Sequence, residues 1–149
     1  MPDELLRPTV GAGVDMSARP WRLMSQTYVA FFGGVLASTA VAYLNAGRLG
    51  VDVAKRRLIL LTGLVGLLAV IGVFVLLYDD AGVTSGLRVS IRVVAVLCCM
   101  VQLRLQRPMD RAFQLRGADY GSLWGWGIAV TIGGAIAEAL ILFLVTVVL

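Results

Sequence analysis

One carboxylate stands alone in the last long apolar run of the chain. Glu138, within "GGAIAEAL" (133–140), has neither a charge nor an amide within ten residues on either side. A second apolar run, "LRVSIRVVAVLCC" (87–99), is interrupted by two cations, Arg88 and Arg92. In hydrocarbon a carboxylate suits two kinds of chemistry. It can be ionised and neutralised by a cation, which locks two elements together, or it can exchange a proton or bind a cation as a carrier. The remaining chemical inventory is thin. Histidine is absent, which removes the commonest metal ligand and general base. Cys98 and Cys99 are adjacent and point about 100° apart on a helix, so they read as small core residues, with no disulfide and no metal site. No cluster of Asp, Glu, Ser or Cys and no phosphate-binding glycine loop supplies catalytic residues, so the expectation is no enzyme and no cofactor.

The elements that hold these charges follow from composition. Of 149 residues, 59% are hydrophobic and 15% charged, with a mean hydropathy of +0.89. A soluble domain carries about a quarter charged residues, spread over its surface. Here the charges cluster between four apolar runs, at about 27–45, 58–78, 83–103 and 123–149. Each is close to the ~20 residues that cross ~30 Å of hydrocarbon as a helix. The expected fold is all-α, four transmembrane helices in a compact bundle (27–149) behind a flexible, Pro-containing tail (1–26). The third run is the weakest span because of its two arginines. Arg19 and Arg22 before an apolar stretch ending in Ala40–Ala42 have the look of a cleavable signal, but the long leader and the basic residues that follow favour a retained helix.

Basic residues set the expected orientation. Arg48, Lys55, Arg56 and Arg57 follow the first run, and Arg104, Arg107, Arg111 and Arg116 follow the third, against Arg7, Arg19, Arg22 and Arg88 on the other side. Four straight spans then put loops one and three in the cytoplasm and both termini outside. The net charge of +4 suits anionic lipid headgroups, and nothing points to nucleic acid. "RPMDRAFQLRG" (107–117) reads as a short amphipathic helix at the headgroups, starting at Pro108 and stopping at Gly117. Trp21 and Arg22, and later Tyr120, Trp124 and Trp126, read as interface anchors.

Small residues recur at helical spacing. Ala30, Gly34, Ser38 and Ala42 form one row in the first span; Gly125, Ala129, Gly133 and Ala137 form another in the last, beside Gly127, Thr131, Ala135 and Ala139. The second span has Gly63, Gly66, Ala69 and Gly72. In lipid, close approach along such faces supplies packing energy, within one chain or between chains. The expected partners are therefore lipids and either further copies of this chain or a larger membrane complex.

Depth connects the charges. Glu138 lies about 16 Å from Leu149, and Arg92 about 13–14 Å from Val83, on the same side of the bilayer. The expectation is an intramembrane Glu138–Arg92 ion pair locking helix three to helix four. Arg88, one turn nearer the surface, can snorkel towards Asp79 or Asp80. The competing expectation is a small proton- or ion-coupled transporter with Glu138 as its carrier.

Two resemblances accompany this reading. "AEALILFLVTVVL" (137–149) resembles the last helix of rotary ATPase proteolipids, which implies an ion-carrying role for Glu138. It covers about a dozen residues, and the third run lacks the glycines that family has, which marks the likeness as local convergence. Small multidrug exporters also have four spans and one glutamate, but theirs is in the first helix. "FFGGVLASTAVAYLNAGRLG" (31–50) and "RLQRPMDRAFQLRG…SLWGWGIAV" (104–130) resemble small four-span bacterial membrane proteins with no assigned activity. That likeness covers about half the chain, implies a bacterial plasma membrane, and gives Glu138 no role.

Overall fold

The computed structural model describes residues 19–78, 84–115, 117 and 119–148. The described residues form four helices and no strand: α1 (Leu23–Arg48), α2 (Val53–Leu77), α3 (Ser85–Leu115) and α4 (Trp124–Val148). All four are long and apolar enough to cross a membrane. The all-α bundle expected from the hydropathy pattern is the architecture found. The tail to residue 18, Asp79, Asp80 and Arg116 lie outside the described residues, so the expectations placed on them do too.

The first helix uses its length in an unexpected way. Gly34 has φ 79 and ψ −166, a backbone conformation that is essentially restricted to glycine. There the chain turns back on itself. The Trp21 N–H donates to Asn45 Oδ1 at 2.6 Å, and Asn45 Nδ2 donates to the Trp21 carbonyl at 3.2 Å. The Arg48 guanidinium stacks on the Trp21 ring at 4.0 Å and donates to the Arg19 carbonyl. A straight helix would hold residues 21 and 45 about 36 Å apart. So α1 is a helical hairpin, with residues 23–33 antiparallel to residues 35–48. At ~1.5 Å per residue these arms are about 16 and 21 Å long, and neither crosses ~30 Å of hydrocarbon.

The hairpin explains the first small-residue row. Ala30, Gly34, Ser38 and Ala42 are all buried, because the two arms face each other and are surrounded by the other helices. Ala30, Ala42 and Ala46 share one apolar cluster with Leu23, and larger side chains would hold the arms apart. α1 packs on α2, α3 and α4, whereas α3 and α4 make no close backbone approach. α2 meets α1 and α3 along Ile59, Gly63, Gly66, Val70 and Phe74. A Cβ at Gly63 would overlap Thr39, and one at Gly66 would press on Cys98; Gly72 and Ala69 lie off this seam.

Three further expectations are corrected. Trp21 is 1% exposed and sits inside the hairpin's open end, so it is no lipid-facing anchor, and order extends into residues 19–26. The stretch from Pro108 is no separate helix, because α3 continues through it to Leu115 before Gly117 (φ 65) ends the turn. Proline lacks an N–H and breaks one ladder bond, but α3 runs on because Phe113 beyond it is buried in one cluster with Leu23 and Leu49 at the hairpin's open end. In α4, Gly125, Ala129 and Gly133 are exposed; the seam against α1 uses Thr131, Gly134 and Glu138 instead.

Candidate functional site: the tip of the re-entrant hairpin

Breaking a helix leaves backbone groups without partners, and in hydrocarbon these must be met from within the protein. At Gly34 the two intramembrane charges meet them. Glu138, 5% exposed, accepts the Val35 N–H on Oε2 at 2.8 Å. Arg92 donates through a terminal guanidinium nitrogen to the Phe32 carbonyl at 3.2 Å. A carboxyl group therefore caps the N-terminal, positive end of the 35–48 arm. A cation caps the C-terminal, negative end of the 23–33 arm.

This geometry differs from the expected lock between helices three and four. Glu138 and Arg92 come to one place, but no salt bridge joins them; each ends on the backbone of α1, which lies between α3 and α4. Arg88 is exposed one turn away and takes no part in the tip. Gly34 leaves no room for a substituent, because a Cβ there would overlap the Glu138 carboxylate. α4 reaches this depth because Gly134 lies against Ala37 and Thr131 against Gly33.

A polar ladder runs from the tip to the open end of the hairpin. Ser38 and Thr39 donate to the Val35 carbonyl at 3.0 and 2.8 Å, and Gln102 Nε2 donates to Thr39 Oγ1 at 2.8 Å. Gln106 Nε2 points to both the Gln102 carbonyl and Gln26 Oε1, while Gln106 Oε1 accepts from Asn45 Nδ2 at 3.1 Å. All four amide side chains are completely buried, and Gln26 Nε2 and Gln102 Oε1 have no partner among the described protein atoms. Beyond the ladder, Asp110 accepts from the Tyr120 hydroxyl at 2.9 Å and from Gln114 at 3.1 Å, which ties the end of α3 to the segment entering α4. Burial, then the Asp110 contact, push the Tyr120 phenol above its ordinary value, against lowering by Gln114 and Arg22.

Sequence reading placed Glu138 and Arg92 at matching depth but missed Gly34 as a break, and it passed over the amides. Their signal was present: Gln102, Gln106 and Asp110 repeat every fourth residue on one α3 face, and Gly33–Gly34 is the one adjacent glycine pair before Gly133–Gly134. Cys98 and Cys99 are buried free thiols, and Cys98 donates to the Thr62 carbonyl at 3.3 Å. No metal-binding group of His, Cys, Asp or Glu occurs among the described residues. No family model, curated protein or solved structure matches the chain.

Proposed function

We propose that this chain is a non-enzymatic integral membrane protein, a bundle subunit that presents a re-entrant hairpin braced by Glu138 and Arg92, and that α4 joins it to another copy or to a larger complex. The observation that carries this reading is the Val35 N–H bond to Glu138: a carboxylate spent on the freed amides of a broken helix is part of the scaffold. The outward-facing Gly125, Ala129 and Gly133 of α4 support association, since no element among the described residues covers them. The basic charge supports an orientation. Arg19, Arg22, Arg48, Lys55, Arg56, Arg57, Arg104, Arg107 and Arg111 lie towards the hairpin's open end, and Arg88 and Arg92 towards the other. The open end is therefore cytoplasmic and the end of α4 external. This orientation differs from the expectation that both termini are outside, because a hairpin returns Arg19 to the side of the first and third connections.

A double-mutant cycle of stability in bicelles tests the brace. With Glu138→Gln, Arg92→Gln and both, the two losses should add to within about 1 kcal/mol, since the groups cap different backbone atoms. A coupling near 3 kcal/mol would restore a direct ion pair.

A second reading has its own support. Discontinuous helices that meet a carboxylate inside the membrane are a common form of ion-coupled transport site, and the amide ladder leads from the open end towards the tip. Proton flux into vesicles that is lost in a folded Glu138→Gln protein would favour the transporter over the brace.

A further inference from the structure

Beside the seam of α1 and α4, on the open-end side of the bundle, runs a groove of about 990 Å³. Its walls are the first arm of the hairpin and the first turns of α4. Tyr28 and Phe32 line one wall and Ile128 and Ile132 the other, all four at least half exposed. From Trp124 to Ile132 the groove descends about 12 Å, within one leaflet. Its mouth carries Arg19 and Arg22, opposed among the described residues by the carboxylate of Asp119. Ser25 and Ser122 add hydroxyls at the same level.

An apolar slot that opens sideways to the leaflet and is cationic only at its mouth matches one kind of molecule end to end. The geometry points to a bound anionic phospholipid of the leaflet on the basic side, its phosphate at Arg19 and Arg22 and one acyl chain between Phe32 and Ile132. Charge complementarity selects this occupant over a zwitterionic lipid, because the excess cation at the mouth gains less from a phosphate whose headgroup carries its own cation. Length selects it over a polar solute, because the lower two turns of the groove are lined by Phe32, Ile128 and Ile132, with Thr131 the one hydroxyl among them. The site lies on the outside of the hairpin and is independent of whether Glu138 is a brace or a carrier.

The test is native mass spectrometry of the full chain in detergent, titrated with phosphatidylglycerol, phosphatidylcholine or palmitate. Phosphatidylglycerol should bind at one saturable site about tenfold more tightly than phosphatidylcholine. The joint Arg19→Gln, Arg22→Gln variant should abolish that preference. Ile128→Trp, which fills the slot from an exposed position, should remove the saturable site for both lipids. Ile132→Trp is the substitute if that variant melts early. Equal binding of the two phospholipids, or a phosphatidylglycerol preference that survives the tryptophan, would overturn the proposal in favour of an ordinary lipid shell around a basic end. Palmitate binding as tightly as phosphatidylglycerol would overturn it in favour of a free acid.

Discussion

Glu138 and Gly34 form one unit, and substitutions in either should reflect this. Gly34→Ala adds a Cβ where the carboxylate lies and forces an L side chain into a glycine-only conformation, so a loss on the order of 1–3 kcal/mol from the backbone alone is expected, with displacement of Glu138 added. Glu138→Leu strands the Val35 N–H in the interior and should cost on the order of 1–3 kcal/mol. Glu138→Gln keeps an acceptor and should cost less than half of that. Thermal unfolding in detergent orders the three. If leucine proved as well tolerated as glutamine, the capping role would be wrong. The sequence made Glu138 conspicuous because a lone carboxylate is costly in lipid. Its partner was hidden, since a backbone N–H is present at every position and only a break makes it available.

At the scale of elements, the doubling back of α1 has a direct physical signature. Spin labels at Met24 and Leu44, both exposed, would be separated by about 30 Å on a straight helix. The hairpin brings the same stretch together through the Trp21–Asn45 bonds, so pulsed electron–electron distances should fall well below that. The junction of α3 with α4 makes a second prediction. Tyr120 holds its proton more tightly in the fold than unfolded, so the stability it contributes is complete below pH 10 and is lost as pH rises from there through its raised native value. Tyr120→Phe should flatten the pH dependence of melting above pH 10, and a wild-type curve that is already flat there would remove Tyr120 from the account. The run 27–45 read as a span because hydropathy counts apolar residues without regard to direction. Two short arms and one long helix have the same composition.

For the molecule as a whole, the fold turns an ambiguous charge count into a sharp one. Straight spans divide the basic residues eight to four near the membrane ends; the hairpin gathers nine of the eleven described ones at one end. In a Cys98→Ala, Cys99→Ala background, single cysteines replacing Arg19, Thr84 and Ser122 report the sides. A membrane-impermeant maleimide added to intact cells should label position 84 and spare 19 and 122. Labelling of 19 together with 84 would return the first helix to a full crossing.

By itself the sequence determined the environment, the all-helical class, the number of long apolar helices and the two residues most out of place in lipid. These follow from transfer energies and helix length, which are local and additive along the chain. The tertiary structure decided the direction of α1, the use of Glu138 and Arg92 on its backbone in place of each other, and the end of the bundle at which most of the described basic residues collect. Those depend on a single glycine's torsion angles and on which surfaces then come within reach. Neither is a property of any stretch of sequence taken alone.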